Sequence, residues 1–576
     1  MSSFSLVVLA ALAAAPKLVP VPALAKVRPG QPLPVLGDTK LRAARGECEG
    51  LQVYVSPPAD VRSADVAALH GPGGTVPTVK VFREVWMQLT RATEGGGATG
   101  LWPDPLLPVH RARGGTNPAV LPAQSTTDRP LVLYLELCVP AGVQPGTYRG
   151  QLAVGFGDGS TAALPLDLAV APVDIPATST LKNTWGLGVY VLAHGFGVKR
   201  DSPQGVALLR DAGRALLEHR LSGYQMGIDP LPSRPGPDGT RIVDFSGYDA
   251  EMSEVLGGTA LPSGARFTTT EVRDDWRLSL EERAAYLRAW QKHFAERRWP
   301  QLLWYYAKDE PGPKDDALVH QEAELTRNVG GHLPLLVTTY RTGLWDAADI
   351  VAPVMVCFFE RPGRRLCPVP TQTAAQMRAR LRPGQQLWWY QSCMFHGCDG
   401  PPKDRKLAAS MTGWASYMID HSGPRNRAMG VLAFLDGIEG ELYFDTLVAW
   451  EKDGQPWRDV WRFGGNGDGT FFYPGTRAQV GDEAPLLVPS LRLKTVRDGL
   501  EDYELLTLVA ARRGRKAAEA LGQRLARSGW EITEDGATWA EVHGALLDAA
   551  SPDAPAAGHS TGGAVPGGTR TESPSR

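Results

Sequence analysis

Asp309 and Glu310 form an adjacent carboxylate pair at the end of Gln301-Leu-Leu-Trp-Tyr-Tyr-Ala-Lys-Asp-Glu-Pro311, where an apolar, aromatic run gives way to acid and then to proline. Such a pair can donate, accept or share a proton, or stabilise a developing positive charge. The run before it reads as a buried strand, because parallel strands covered on both faces are near-continuously hydrophobic. Barrel enzymes gather their chemistry where such strands end, so Asp309 and Glu310 are the candidate catalytic residues. Acids ahead of a proline also occur in loop turns and at helix N-termini, and the rest of the chain has to separate the two readings.

Aromatic residues form a second set. Trp388, Trp389 and Tyr390 end the strand-like Gln386-Leu-Trp-Trp-Tyr390, and Trp185 and Tyr190 lie near the end of another strand-like piece, residues 181–190. Their flat faces suit a ring ligand, although large aromatics also fill cores. Strand alternation turns at most one or two of the 388–390 triplet toward a shared pocket. Trp389, Tyr390, Trp185 and Tyr190 are the candidate binding residues, with Asp436, Glu439 and Glu441 as reserve carboxylates. His396 is read as a loop residue. Cys393-Met-Phe-His-Gly-Cys398 matches no standard zinc spacing, so a local disulfide or buried thiols are expected there, and no metal or cofactor is assigned.

The elements that must position these residues follow from the whole chain. Its 576 residues exceed what one hydrophobic core serves, so two or more domains are expected. Lys and Arg number 60 against 62 Asp and Glu, and no long basic stretch offers the phosphate neutralisation that nucleic-acid binding needs. A neutral or weakly charged ligand fits better. Residues 1–25 read as an export leader: the apolar run 6–15 is too short to span a bilayer, and Ala23-Leu-Ala25 offers a small-x-small cleavage site, although residues 1–5 carry no basic side chain. No other run is long and apolar enough for a membrane span. Six cysteines suit disulfides in an oxidising compartment without specifying any.

Residues 38–172 alternate short strands with Gly and Pro turns, as a β-sandwich does, with 140–149 expected as a hairpin loop and 171–180 as a linker. From 181 to 548 strand-like and helical pieces alternate, which suits a (β/α)8 TIM-like barrel; an open doubly wound sheet is the alternative. Expected strands include residues 334–340, 350–359, 386–390 and 428–434. Residues 278–294 are expected as a helix capped by Ser279 with Glu282 three positions on. Residues 490–506 carry Leu493, Val496, Leu500 and Tyr503 at helical spacing, opposite a charged face expected to be solvated. The tail 551–576 has too little apolar surface to order itself and is expected to be disordered.

Four pieces of the chain carry a resemblance. Arg45-Gly-Glu-Cys-Glu-Gly-Leu-Gln52, Asp309-Glu310-Pro311, Asn466-Gly-Asp-Gly-Thr-Phe-Phe-Tyr-Pro-Gly475 and Ser490-Leu-Arg-Leu-Lys-Thr-Val-Arg-Asp-Gly-Leu-Glu-Asp-Tyr503 resemble, in this order, the signature of glycoside hydrolase family 123 and its relatives in the bacterial domain-of-unknown-function 4091 group. The likeness covers about residues 40–510. It implies a β-sandwich followed by a (β/α)8 barrel, and an exo-acting β-N-acetylgalactosaminidase that retains anomeric configuration by substrate-assisted catalysis. On this resemblance Glu310 is the general acid/base, Asp309 orients and polarises the 2-acetamido group, and Tyr340 hydrogen-bonds the acetamido oxygen.

The adjacency of the pair agrees with that chemistry. In an ordinary retaining glycosidase two carboxyl groups roughly 5–5.5 Å apart flank the scissile bond from opposite faces of the sugar. Sequence neighbours, with Cα atoms about 3.8 Å apart, are awkwardly placed for this. When the acetamido oxygen itself attacks, one acid and one charge-stabilising partner suffice. Two other readings stand beside this one: a glycosidase for another glycoside, and a non-catalytic carbohydrate-binding or surface protein. Each has a carbohydrate partner.

Overall fold

The computed structural model describes residues 16–552 except 74–76, 112–113, 228, 399–401, 452–454 and 482–485. Its N-terminal part consists of β1 (Leu18–Pro22), β2 (Lys40–Arg45), β3 (Cys48–Val55), β4 (Ala59–Val66), β5 (Thr78–Leu89), β6 (Gly100–Pro108), β7 (Ala123–Ser125), β8 (Leu131–Cys138), β9 (Gly146–Phe156) and β10 (Thr161–Asp174). They form two five-stranded sheets, ordered β1-β3-β8-β5-β6 and β2-β10-β9-β4-β7. Leu131, Leu133, Leu135 and Leu137 of β8 share a core with Leu152, Val154, Leu166 and Leu168 of the opposite sheet. The alternate residues Val132 and Tyr134 pack on the other face, against Val21 and Leu491 respectively. Both faces of β8 are thus covered, which is why it reads as an unbroken apolar run.

Three sequence expectations change here. Strand β1 pairs with β3, and Gln52 Nε2 donates to the carbonyls of Pro22, Ala23 and Ala25 at 3.1, 2.9 and 2.7 Å. Cleavage after Ala25 would remove this strand, so the 1–25 leader overlaps the folded domain. The loop 140–149 joins strands of different sheets and so crosses between layers, because Gly and Pro signal a turn without saying which strands it connects. Strand β10 continues to Asp174, which takes up the first part of the expected linker. The apolar run 6–15 and the tail from 553 lie outside the described residues. The six cysteines pair as Cys48–Cys138, Cys357–Cys367 and Cys393–Cys398.

The second part holds eight parallel strands: β11 (Lys182–Gly186), β12 (Gly223–Tyr224) and, after a hairpin of β13 (Ser233–Pro235) and β14 (Arg241–Val243), β15 (Thr269–Glu271), β16 (Leu302–Tyr306), β17 (Leu335–Thr338), β18 (Ile350–Ala352), β19 (Gln386–Tyr390) and β20 (Gly440–Tyr443). Each pairs with its chain neighbour except across β12 and β15, and β20 pairs back onto β11, which curls the sheet into a nearly closed barrel. At the remaining seam Ser222 Oγ accepts the Thr268 N–H at 2.7 Å and lies 2.9 Å from Thr268 Oγ1. The crossovers contain α1 (Val189–Gly195) and α2 (Pro203–Leu217), then α3 (Ser246–Gly257), α4 (Leu280–Arg297), α5 (Asp316–Arg327), α6 (Ala374–Arg378), α7 (Arg405–Ser410) and α8 (Gly423–Asp436). Between β17 and β18 the chain makes a 3-10 turn at Thr342–Leu344 in place of an α-helix. Helix α4 starts at the expected capping box: Ser279 Oγ accepts the Glu282 N–H at 3.3 Å, and Glu282 Oε2 accepts the Ser279 N–H at 3.0 Å.

Residues 428–434, expected as a strand, belong to α8. A helix buried all round shows no period that separates it from a buried strand, and its limits are marked instead by the Ser422 cap, Pro424 and Gly437 at φ 62°. Beyond β20 come the short α9 (Arg477–Val480) and the long α10 (Leu491–Arg513). A Cβ on Gly430 of α8 would meet the Gly499 carbonyl of α10 at 1.9 Å, so the two helices touch through glycine. The charged face of α10 is buried, because the helix is wedged between α8 and the β1-β3-β8-β5-β6 sheet. Lys494 and Arg497 pair with Glu136, Arg427 with Asp502, and Arg492 with Asp104. Helices α11 (Arg515–Leu525) and α12 (Gly536–Ala550) complete the fold.

Candidate active site

The last residues of β12, β16, β17 and β19 are Tyr224, Tyr306, Thr338 and Tyr390, and all four line one of two adjoining cavities at the barrel rim. Alternation along β16 puts Trp304 and Tyr306 together, ring centroids 5.7 Å apart, while Tyr305 turns away to lie 2.8 Å from the Asp274 and Glu322 carboxylates. The strand thus delivers Tyr306 to the site three residues before Asp309.

Asp309 Oδ1 accepts from the Tyr306 hydroxyl at 2.7 Å and from Thr338 Oγ1 at 3.1 Å, and the same Thr338 oxygen accepts the Glu310 N–H at 3.0 Å. Glu310 has φ 40°, in the left-handed region that a non-glycine residue enters at a cost of about 1–3 kcal/mol. Past this turn its side chain meets Tyr390, whose hydroxyl donates to Glu310 Oε1 at 2.6 Å. Burial, and then the Asp309 charge, hold the Tyr306 phenol well above its usual range; burial and Glu310 do the same for Tyr390. Both phenols therefore remain protonated donors.

The larger cavity, about 480 Å³, is lined by Asp309, Glu310, Asp445, Glu451 and Asp468 with Phe444 and Phe463, and by no Lys, Arg or His among the described residues. The smaller, about 250 Å³, is lined by Glu310, Thr338, Tyr340, Arg341 and the Cys393–Cys398 disulfide. Glu310 stands at the boundary and lines both, whereas Asp309 lines only the larger. Tyr390 also lines both, and Tyr340 stands in the smaller beside Glu310.

The other aromatic candidates are placed elsewhere. Trp389 is fully buried on the opposite side of β19 from Tyr390, with its ring T-shaped on Phe358 at 5.7 Å. Trp185 is buried among Tyr417, Tyr443 and Phe471. Tyr190 is 61% exposed on α1 and lines neither cavity. Phe444 and Phe463, edge to face at 5.5 Å, supply the aromatic wall instead. The reserve carboxylates are also displaced: Glu439 Oε2 accepts the Leu387 N–H at 2.9 Å, Glu441 is buried and accepts from the Tyr417 hydroxyl at 2.8 Å, and Asp436 ends α8. Two residues beyond β20, Asp445 reaches the cavity in their place. Asp468, inside the glycine-rich motif, accepts from the Tyr443 hydroxyl at 2.7 Å. His396 is a fully buried loop residue, its Nε2 3.2 Å from Asp468 Oδ2.

A signal for part of this set exists in the sequence, since four of the eight parallel strands end on Tyr224, Tyr306, Thr338 and Tyr390, the strand expected over 334–340 stopping two residues early, at Thr338. Phe463, Glu451 and Asp445 lie on loops and carry no comparable mark.

No family model and no curated protein matches the sequence. Among solved structures, a family 123 glycoside hydrolase from Clostridium perfringens is similar over 93% of this chain and 98% of its own, at TM-score 0.63 and 12% identity. The two proteins share a fold. Likenesses to a GH5 xyloglucanase from Bacteroides ovatus (9% identity, 80% of this chain and 98% of that one, TM-score 0.27) and a family 39 glycoside hydrolase from Bacteroides cellulosilyticus (11%, 81% and 82%, TM-score 0.32) are too weak to argue from.

Two predictions arise from the site itself. Thr338→Val removes one donor from Asp309 and the acceptor of the Glu310 N–H while keeping side-chain volume. A lost hydrogen bond to a charged group costs about 1.5–3 kcal/mol, so kcat is expected to fall roughly 10–100-fold with the circular dichroism spectrum unchanged. Burial pushes the Asp445 carboxyl up to about 7. An aspartate that ionises near 3.9 when unfolded but near 7 when folded makes folding less favourable as pH rises between those values, with the full penalty present above them. Asp445→Asn is therefore expected to raise Tm at pH 8, with the difference disappearing near pH 4.

Proposed function

We propose that this chain is a retaining exo-glycoside hydrolase that cleaves β-linked N-acetylhexosaminides, N-acetylgalactosaminides foremost, by substrate-assisted catalysis on a (β/α)8 barrel. The carrying observation is the division of the acid pair: Asp309 is fixed inside the larger cavity, and Glu310 is held by Tyr390 at the boundary between the two. A terminal sugar in the larger cavity and a leaving group in the smaller would put the glycosidic oxygen beside Glu310.

In this reading the 2-acetamido oxygen attacks the anomeric carbon while Glu310 protonates the departing oxygen. Asp309, with Oδ1 taken by Tyr306 and Thr338, has Oδ2 left to accept the acetamido N–H and stabilise the positive charge that develops there. Tyr340, expected to meet the acetamido oxygen, lines only the smaller cavity and so falls on the leaving-group side of Glu310. Glu310 then takes a proton from water, which opens the cyclic oxazolinium from the opposite face, and two inversions give net retention. Two of the three remaining cavity acids, Asp445 and Asp468, support this over a protein nucleophile. Asp445 is half protonated near neutrality, and Asp468 is engaged by Tyr443.

The experiment is a panel of nitrophenyl glycosides. Turnover confined to β-N-acetyl sugars with retained configuration is expected. Cleavage of simple glycosides lacking the acetamido group would refute substrate assistance, and sugar binding without any turnover would favour a non-catalytic binder. The surplus of carboxylates in the larger cavity also predicts selection by charge. A 6-sulfated N-acetylgalactosaminide is expected to react at least about tenfold more slowly than the neutral sugar, with the difference shrinking at high salt. Three disulfides accord with an oxidising compartment, so export belongs to the proposal. No helix among the described residues is long and apolar enough to cross a membrane.

A further inference from the structure

One cluster of ligating side chains takes no part in the chemistry above. Glu47 precedes and Glu49 lies within the start of β3, inside the Arg45–Gln52 motif, and His543 faces them from α12, which packs against β2 and β10. His543 Nε2 lies 3.3 Å from Glu49 Oε1, 3.7 Å from Glu47 Oε1 and 3.2 Å from the Arg42 carbonyl oxygen. The donor atoms of Glu47, Glu49 and His543 all fall within 4.8 Å of one another. Tetrahedral zinc, with bonds of about 2.0–2.2 Å to nitrogen and oxygen, needs donors roughly 3.3–3.6 Å apart, so small rotamer changes would close a shell around an ion.

Two further observations point to a cation. Glu47 is 1% exposed, and its Oε2 accepts the Ala44 N–H at 2.6 Å, yet Oε1, the atom that faces the ring, has no hydrogen-bond partner. The nearest cationic neighbour of Oε1 is the His543 ring at 3.7 Å, beyond hydrogen-bond reach, and coordination would satisfy that oxygen directly. On the far side of the ring, His543 Nδ1 lies 3.8 Å from Asp502 Oδ1, and Asp502 accepts two bonds from Arg427 at 2.6 and 2.8 Å. At 3.8 Å the Nδ1 makes no hydrogen bond, but Asp502 stands on the side where the second ring nitrogen of a ligating histidine finds its carboxylate partner.

We propose that Glu47, Glu49 and His543 form a structural site for a divalent cation of the zinc class, with the Arg42 carbonyl or water as fourth ligand. The ion staples α12 to the N-terminal sheets, far along the chain from the strand-end residues of the active site. One imidazole with two carboxylates suits zinc or manganese and is poor for calcium, which prefers six or more oxygens.

The test uses the full chain, stripped with a chelator and titrated with Zn²⁺ by calorimetry, with elemental analysis of the product. One zinc per chain and a rise in Tm on binding are expected. Among the described residues the Glu49 side chain has only His543 as a partner, to which a glutamine carbonyl oxygen can lie equally close, so Glu49→Gln should fold normally. It should lose more affinity than the roughly 10–100-fold that removal of an outer-shell partner costs, and keep its activity on aryl glycosides. His543→Gln provides a second ligand deletion. If the stripped parent takes up no zinc, or if both variants bind it as the parent does, the cluster is an ion-pair network around an imidazolium and the site is refuted. Neither result touches the glycosidase reading.

Discussion

Glu310→Gln is expected to lower kcat/KM by about 10²–10⁴-fold on an N-acetylgalactosaminide with a sugar or alkyl leaving group, the range that a positioned general acid contributes. The loss should be distinctly smaller on a nitrophenyl glycoside, because nitrophenolate departs with little need of a proton. Asp309→Asn should behave differently. In the proposed role Asp309 meets the acetamido group rather than the leaving oxygen, so its loss, about 10²–10³-fold by comparison with other charge-stabilising groups, should not depend on the leaving group. The contrast follows from the geometry, in which Thr338 ties the two residues together while Tyr306 grips one carboxylate and Tyr390 the other. Full activity in Glu310→Gln, or equal leaving-group dependence in both variants, would overturn the assignment.

The second large effect concerns stability. Arg492 and Asp104 are both fully buried, and the guanidinium makes two bonds to the carboxylate at 2.9 Å each while also donating to the carbonyls of Tyr417 and Gly467 at 2.7 and 2.9 Å. Tyr473 adds a hydroxyl bond to the same carboxylate at 2.6 Å. Arg492→Ala leaves Asp104 buried without its cation and is expected to destabilise the protein by about 3–5 kcal/mol, read as a shift in the denaturant midpoint. Pairing Arg492→Met with Asp104→Asn should recover much of the loss, because the cost lies in stranding one charge more than in losing the attraction. Activity should fall with Arg492→Ala even where the chain remains folded. The guanidinium clamps the turn at Gly467, at φ 84°, one residue before the cavity-lining Asp468. A Cβ at Gly467 would lie 2.7 Å from that guanidinium.

This buried pair also explains why the two C-terminal motifs go together. The glycine-rich Asn466–Gly475 segment supplies carbonyls and the Ser490–Tyr503 segment supplies Arg492, while Asp104 comes from the N-terminal sheet. What looks like a solvated helix face is the junction of three parts of the chain.

The sequence by itself determined those features whose cause lies within one element. The acid pair at a strand exit, the capping box of α4, the long Ser490-capped helix and the apolar strands of both parts are legible because period, cap and turn chemistry are local. The alternation that sends Tyr390 to Glu310 also sends Trp389 away from it, so of these two expected binding residues only Tyr390 reaches the site. Tertiary structure alone decided which acids share a cavity. Asp445, Glu451 and Asp468 reach the cavity of Asp309 from a stretch of loops far along the chain from it, and Phe463 forms the wall that Trp185, Trp389 and Tyr190 were expected to supply. It also decided that 428–434 is helix and that the charges of α10 are buried. Both follow from what covers a surface, and hydrophobic period cannot report cover that arrives from another part of the fold.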